Sequence, residues 1–285
     1  MNNGIRINNF SILPPVVKNL LIANILFFLA KIVFTARGVD MDGLFGLHYW
    51  EASAFHFWQP LTYMFMHADF SHIFFNMFAL WMFGASVENT WGGRRFLIYY
   101  LITGLGAAAV HYLVIYWQIG GDIALLNQFL DAPSLDTFQY LAENCSSERL
   151  KPTLLNNLLF LQSHPDTQSL NELISATVQL KDTFLNSYNC IGASGAVFGV
   201  LLAFGMLFPN AEIYIYFLIP LKAKWFVLIY GVFELLFGIA GTADGVAHFA
   251  HLGGMIFGLL LILYWKRKYR RQNDFYYYQD PNDFE

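Results

Sequence analysis

Six long apolar segments, separated by polar or charged connections, dominate the pattern of this chain. They cover residues 17–36, 69–88, 95–117, 192–208, 223–241 and 246–265. About 20 apolar residues in a helix span the hydrocarbon core of a bilayer. The pattern therefore predicts an all-α polytopic membrane protein with a six-helix bundle. We expect residues 1–117 and 189–266 to form the membrane core, 118–188 to form an insertion between helices 3 and 4, and 267–285 to form a cytoplasmic tail.

The distribution of basic residues predicts the orientation of this bundle. With the N-terminus inside, eleven Lys and Arg residues fall on the cytoplasmic side and four on the outer side. Cytoplasmic loops of membrane proteins carry such an excess of positive charge. The first apolar run is too long for a signal-peptide core and lacks a small-residue cleavage site, so we expect a retained helix. The predicted location is the plasma membrane of a bacterium, with both termini cytoplasmic.

The insertion at residues 118–188 contains amphipathic stretches, including 171–185. These stretches predict a small helical cap on the outer face, without a catalytic role of its own. Cys145 and Cys190 also map to the outer side, where an oxidising compartment permits a disulfide. Two free thiols are the expected state, and the disulfide is the alternative.

Composition narrows the class of function. The chain is 56% hydrophobic and only 13% charged, whereas soluble domains carry about 25% charged residues. Its net charge of −4, with basic residues at segment ends, does not indicate a nucleic-acid partner. We expect no cofactor and no metal, and the oligomeric state is open.

Polar residues within three of the predicted helices indicate chemistry. Ser194 opens the short fourth helix, and the free amide groups of a helix N-terminus suit the stabilisation of an oxyanion. His251 lies near the outer end of the sixth helix, while His72 and Asn76 share one face of the second. All four fall at one depth, in the outer third of the membrane.

Glycines on two of these helices would permit close packing. Gly195 begins a small-xxx-small stretch on the fourth helix, and Gly254 and Gly258 form another on the sixth. Such stretches let membrane helices approach closely, which would bring the hydroxyl of Ser194 within reach of an imidazole.

Each of these features has a plainer interpretation. Small residues around a serine pack membrane helices routinely, and His72 with Asn76 could form interhelical hydrogen bonds. An ionisable histidine inside a membrane is more informative, because such groups are costly and usually functional. His248, one turn from His251, is the alternative base.

These residues, taken together and in their order along the chain, resemble the pattern of the rhomboid family of intramembrane serine proteases. The resemblance covers residues 15–117 and 189–266 and rests on His67, His72-x-x-x-Asn76, Gly84 to Glu88, Trp91-Gly92, Gly192-Ala-Ser194-Gly195 and Ala250-His251-Leu-Gly-Gly254. It implies a Ser–His dyad without an aspartate, in which Ser194 is the nucleophile and His251 the general base and acid. It also implies an oxyanion site formed by His72, Asn76 and the Ser194 amide.

The chain departs from the family pattern in three places. Trp58 is followed by Gln59 where the family often has arginine, which would loosen the first outer loop. Phe198 stands where a tyrosine often stacks on the histidine, so the ring is kept and the hydroxyl lost. The insertion is longer than in many members.

The predicted function is that of an intramembrane serine endopeptidase. Its expected partners are the lipid bilayer and single-pass membrane proteins, cut near the outer interface. The alternative is a non-catalytic rhomboid-like protein that binds membrane helices for quality control. A transporter ranks third, because it would need a polar path through the inner half of the membrane.

Overall fold

The computed structural model of the chain describes residues 10–215, 218–241 and 247–271. Its helices are α1 (Pro15–Thr35), α2 (Met41–Phe45), α3 (Gln59–Thr62), α4 (Phe70–Trp91), α5 (Gly93–Asp131), α6 (Leu135–Asn144), α7 (Lys151–Ser163), α8 (Thr167–Asn186), α9 (Ser194–Leu207), α10 (Ala223–Ala240) and α11 (His248–Arg271), with a 3-10 helix at Tyr63–Phe65. Four short strands are β1 (Leu47–His48), β2 (Asn189–Cys190), β3 (Glu212–Ile215) and β4 (Ile219–Lys222). Residues 272–285, most of the predicted tail, lie outside the described residues.

Five of these helices, α1, α4, α5, α10 and α11, are long and apolar enough to cross a membrane, and α9 is a shorter apolar helix of 14 residues. Their bounds differ from the predicted ones by up to three residues, except at the ends of α5 and α11. Helix α11 runs to Arg271, six residues beyond its predicted end at 265 and into the predicted tail. The prediction of an all-α polytopic membrane protein is confirmed.

Helix α5 runs 39 residues, to Asp131, whereas the hydrophobic pattern predicted an end at 117. The first proline after its start is Pro133, so no helix breaker occurs at the predicted end. Beyond 117, Ile119, Ile123 and Leu126 recur at helical spacing and are buried. The helix therefore continues because it has a second apolar face to bury.

The chain divides into two compact units, made of the described parts of 1–39, 60–110 and 191–285 in the first and of 40–59 and 111–190 in the second. In the second unit, α6, α7 and α8 surround an apolar core in which Phe129 and Phe138 are fully buried. The side chain of Ser134 caps α6 and that of Asp166 caps α8. The insertion is helical, as its amphipathic stretches predicted.

The second unit also contains the loop of residues 40–59. Gln59 is fully buried there; its side-chain amide donates to the Ala54 carbonyl at 2.8 Å, and its oxygen accepts from His48 N–H at 3.2 Å. The arginine-to-glutamine departure thus leaves this loop anchored, because glutamine both donates and accepts.

Both cysteines belong to the second unit and are free and buried. Burial raises the pKa of the Cys145 thiol to about 11 and that of Cys190 to about 12. Strand β2, which contains Cys190, pairs antiparallel with β1, so Cys190 lies opposite Leu47. The expectation of two free thiols agrees with this structure.

Backbone contacts between helices organise the first unit. A Cβ atom on Gly254 of α11 would overlap the carbonyl oxygen of Gly195 on α9, and a Cβ on Gly258 would overlap the Tyr99 hydroxyl. That hydroxyl instead donates to the Gly199 carbonyl at 2.8 Å. Small residues therefore bring α9 and α11 together at backbone distance, while α5 reaches α9 through the Tyr99 side chain.

Strands β3 and β4 pair antiparallel between α9 and α10, in register from Glu212↔Lys222 to Ile215↔Ile219. The hydrophobic pattern did not predict this pairing. Its strands have four residues each, which is too short for a distinct alternation of apolar and polar positions.

Candidate active site

Ser194 is the first residue of α9. The Val197 N–H makes a 3.0 Å hydrogen bond to the Ala193 carbonyl, so the amides of residues 194–196 precede it at the helix N-terminus. Just upstream, Gly192 has a φ of +133° and donates its N–H to the Tyr63 carbonyl at 2.9 Å. Only glycine adopts that φ without strain, so Gly192 sets the turn that presents Ser194.

His251 lies on α11 with its Nε2 atom 2.7 Å from Ser194 Oγ. The close approach of Gly195 and Gly254 brings the two helices together at this point. The Phe198 ring stacks on the imidazole, with centroids 4.2 Å apart and planes 6° apart, and the Tyr230 ring stacks on Phe198 with centroids 5.2 Å apart. The imidazole is therefore held edge-on to the hydroxyl by an aromatic stack.

His248, the alternative base, points elsewhere. Its Nδ1 atom lies 2.7 Å from Oε2 of Glu234 on α10. The same Oε2 atom lies 2.9 Å from Nδ1 of His251. The structure therefore pairs Ser194 with His251 and joins both histidines through one carboxylate oxygen.

Glu234 was not singled out in the sequence, although a signal was present. It is the only acidic residue among the 18 residues of α10, and ionisable residues within membrane helices are functional by default. Its exposed fraction is 7%. A search for lone carboxylates in apolar segments would have found it.

Glu234, His248 and His251 each offer a ligand atom within 4.8 Å of the other two, as a metal site would. Ligand atoms around a tetrahedral ion, each at about 2.0–2.2 Å from it, lie about 3.3–3.6 Å apart. The 2.7 and 2.9 Å separations are shorter than this and match N–H to carboxylate hydrogen bonds. The cluster is therefore a hydrogen-bonded one.

His72, near the start of α4, faces the turn before Ser194. A point at the Cβ position of Gly192 lies 2.8 Å from His72 Nε2 and 3.6 Å from Ser194 Oγ. The Ala68 N–H is 3.3 Å from His72 Nδ1, which acts as the acceptor. A neutral ring that accepts at Nδ1 carries its proton on Nε2, so the nitrogen facing Gly192 is a donor.

Asn76 lies one turn further along α4. Its Nδ2 donates to the His72 carbonyl at 2.9 Å, and its exposed fraction is 7%. Among the hydrogen bonds of the described residues, none joins Asn76 to Ser194 or His251. Its contribution at Ser194 stays a prediction.

The segment before α4 supports His72. Lys31 Nζ donates to the backbone carbonyls of His67 and Ala68, at 2.7 and 3.2 Å. Asp69 caps α4 by accepting the His72 N–H at 2.9 Å, and hydrogen bonds from Ser71 and that N–H hold its pKa below the ordinary value. The imidazole of His67 is fully buried, and burial lowers its pKa to about 3.

This fold and this site define a class of protein. Its members are polytopic membrane proteins with a Ser–His pair at the N-terminus of a short helix. The family model of the Rhomboid domain matches residues 54–119 and 169–268. The chain belongs to the rhomboid family, which includes serine intramembrane proteases.

Individual relatives agree with this assignment. An uncharacterized mitochondrial rhomboid protein of Schizosaccharomyces pombe is 25% identical over 74% of this chain and 52% of its own length. The rhomboid protease AarA of Providencia stuartii is 31% identical over 35% of the chain and 36% of its own length. The rhomboid protease GluP of Bacillus subtilis is 42% identical over 17% of the chain and 10% of its own length. The chain thus spans about half the length of the first relative and less of the others.

Proposed function

We infer that this chain is an intramembrane serine endopeptidase that uses Ser194 as nucleophile and His251 as general base and acid. The observation that carries the inference is the 2.7 Å contact between Ser194 Oγ and His251 Nε2. A nucleophile and its base within about 2.6–3.2 Å are arranged for covalent catalysis.

The proposed reaction proceeds in two stages. Ser194 Oγ attacks the carbonyl carbon of the scissile peptide bond while its proton moves to His251 Nε2. The imidazolium then protonates the leaving amine, the C–N bond breaks, and an acyl-enzyme remains on Ser194. A water molecule attacks this ester with His251 again as base, which releases the new carboxylate and restores the serine.

The carbonyl oxygen becomes negatively charged in each tetrahedral intermediate, and two kinds of donor lie beside Ser194. The amides at the start of α9 are one, and His72 Nε2–H is the other. Asn76 would join them by turning the second hydrogen of its amide group toward the site, since the first is bound to the His72 carbonyl. Gly192, Gly195, Gly254 and Gly258 support the site by permitting its turn and its helix contacts.

The proposed substrates are single-pass membrane proteins that reach the site through the lipid bilayer. A membrane helix must unwind to present a peptide carbonyl, so helix-weakening residues near the scissile bond should favour cleavage. The relatives named above include a mitochondrial protein and bacterial ones. We propose that the protein is located in a bacterial plasma membrane with both termini cytoplasmic. Membership of the family is compatible with this location and with others.

We further propose the domain division expected from the sequence, a membrane core of 1–117 and 189–266 with an insertion, 118–188, that modulates substrate access. Residues 40–59 and 111–117 of this core belong to the same compact unit as the insertion. Every group assigned to the chemistry belongs to the first unit. Replacing residues 133–186 by a Gly/Ser linker should preserve the reaction of Ser194 with a fluorophosphonate and alter the preference among substrates. A folded linker variant that fails to react would contradict this division.

The proposed activity is tested by covalent labelling with a fluorophosphonate in detergent, together with cleavage of a transmembrane reporter in vesicles. Wild-type protein should react and cleave, whereas Ser194→Ala and His251→Ala should do neither while keeping the wild-type melting temperature. A wild-type protein that binds the reporter but neither reacts nor cleaves would favour the non-catalytic alternative. Normal cleavage by His251→Ala with loss in His248→Ala would move the base to His248.

A further inference from the structure

The carboxylate of Glu234 stands behind the Ser–His pair, on the side of the imidazole away from the serine. Its Oε2 atom is 2.9 Å from His251 Nδ1, while His251 Nε2 is 2.7 Å from Ser194 Oγ. The side chains of Glu234 and His251 are each 10% exposed, so water competes little for this contact.

With Glu234 ionised, these distances fix the positions of the protons. A carboxylate oxygen only accepts hydrogen bonds when it is ionised, so the nitrogen facing it must donate. With its proton on Nδ1, the neutral His251 ring has a bare Nε2, which is the form that accepts the Ser194 proton. The opposite tautomer would set the Nδ1 lone pair against the carboxylate oxygen and leave Nε2 unable to act as a base.

The geometry points to Glu234 as a positioning residue for His251, and to His248 as the group that holds Glu234 in place. The inference rests on the proposed function and extends it from a dyad to a chain of four residues, Ser194, His251, Glu234 and His248. Three helices, α9, α10 and α11, contribute to this chain.

His248 has a definable part in the arrangement. Its Nδ1 lies 2.7 Å from the same oxygen, so one carboxylate oxygen accepts two N–H groups. A buried carboxylate with a single partner would be poorly solvated and free to rotate away, whereas two donors from one turn of α11 fix its direction. Residues three apart on a helix share a face, which is how both rings reach one oxygen.

The arrangement also matters during the reaction. When His251 takes the Ser194 proton it becomes a cation next to the Glu234 carboxylate. The two charges attract strongly because little water surrounds them. Glu234 stays ionised and takes no proton itself, so its role is to orient the base and to stabilise the imidazolium.

The test is Glu234→Gln, which keeps the size of the side chain and removes its charge. We expect kcat for a transmembrane reporter to fall about 10²-fold or more, and the rate of fluorophosphonate labelling to fall by the same factor. KM should stay within about threefold of the wild-type value. For comparison, removal of the equivalent carboxylate from a soluble triad lowers kcat about 10⁴-fold. Glu234→Asp should recover part of the loss, and His248→Phe should lower kcat less than Glu234→Gln.

The matched control is Glu88→Gln. Glu88 is also a buried carboxylate that accepts two N–H groups, those of Val16 and Val17, and it contacts neither Ser194 nor His251. This change should lower the melting temperature without lowering kcat. A purely structural role for Glu234 predicts the same outcome for both variants.

Nitrogen-15 NMR of the histidine side chains in the wild-type protein gives a second readout that requires no variant of Glu234. The inference predicts that His251 is protonated on Nδ1, with Nε2 bare, and the signal is assigned by its loss in His251→Gln. Protonation on Nε2 instead would overturn the inference even if Glu234→Gln fails to fold.

The outcomes separate the two proposals. An active wild type, an inert Ser194→Ala and a Glu234→Gln protein within threefold of the wild-type kcat would reject the role of Glu234 and leave the protease intact. A wild type that neither labels nor cleaves would reject the proposed function itself, whatever the Glu234 variants do.

Discussion

The contact between Gly254 and Gly195 makes a direct prediction about the distance between base and nucleophile. In Gly254→Ala, the new Cβ would fall on the Gly195 carbonyl oxygen, well inside the 3.0 Å limit that real Cβ atoms respect. The obstacle is backbone, which has no side-chain rotation by which to escape. Helices α9 and α11 must therefore move apart.

The expected loss follows from the geometry of the pair. Ser194 Oγ and His251 Nε2 are 2.7 Å apart, and a separation of about 1 Å more removes the hydrogen bond. A displacement of about 1 Å at a reacting pair lowers a rate about 10²-fold. We expect kcat in Gly254→Ala to fall by this factor. Overpacking should also lower stability by about 1–3 kcal/mol, offset by about 1 kcal/mol from the better helix propensity of alanine.

The assay is fluorophosphonate labelling and reporter cleavage, with the melting temperature measured on the same samples. Gly231→Ala is the matched control, because the same change on α10 meets only the flexible end of Met255, at 3.2 Å. It should keep wild-type activity. A folded Gly254→Ala protein that labels at the wild-type rate would show that this helix contact does not set the Ser–His distance.

Three further predictions concern the surroundings of the pair. Phe198→Leu removes the ring stacked on His251 at 4.2 Å. Its kcat should fall about 2- to 13-fold, the equivalent of about 0.5–1.5 kcal/mol of aromatic contact. Phe198→Tyr should stay near the wild-type rate, and equal rates in the two variants would reject the stacking role. Asn76→Ala should slow turnover by at most about 10²–10³-fold, the loss for one oxyanion donor, and unchanged kinetics in His72→Ala/Asn76→Ala would exclude this pair from oxyanion binding. Burial lowers the pKa of His67 to about 3, below its unfolded value of about 6.5. The unfolded chain therefore binds a proton at His67 before the folded protein does. The free energy of unfolding is at its full value above pH 6.5 and decreases as the pH falls below that value. At pH 5.5 the free energy of unfolding is lower by about 1.4 kcal/mol for this reason. His67→Phe should therefore show a smaller drop in melting temperature between pH 7.5 and 5.5 than the wild type. An identical drop in that variant would exclude His67 as the source.

The membrane helices could be predicted from the sequence because each is a long apolar run, and α1 and α10 begin within two residues of their predicted starts. The extension of α5 beyond 117 was missed because Gln118, Gly120 and Gly121 interrupt the run. What continues the helix is burial in a cluster that also contains Phe138 and Leu173, which lie beyond its end. Such tertiary burial is not visible in a local window.

The polar residues of the site could be found from their positions in three apolar segments, and the family resemblance implied their roles. The structure adds their geometry. Ser194 and His251 could be paired beforehand because glycines on both helices indicate close packing. Glu234 could not be placed behind His251, since nothing local relates a residue of α10 to one face of α11. The roles of His72 and Asn76 stay predictions, although the proton position on His72 makes it the better placed donor.

The carboxylate of Glu88 has a consequence for how the chain is assembled in the membrane. Its two oxygens accept the N–H groups of Val16 and Val17 at 2.9 and 2.7 Å, so the last turn of α4 caps the first turn of α1. During synthesis α1 emerges about 70 residues before its cap, and a helix N-terminus without partners exposes several amide donors. Hydrogen bonds to a charged group contribute about 1.5–3 kcal/mol each. The N-terminus of α1 therefore gains these two hydrogen bonds only after α4 has been inserted beside it.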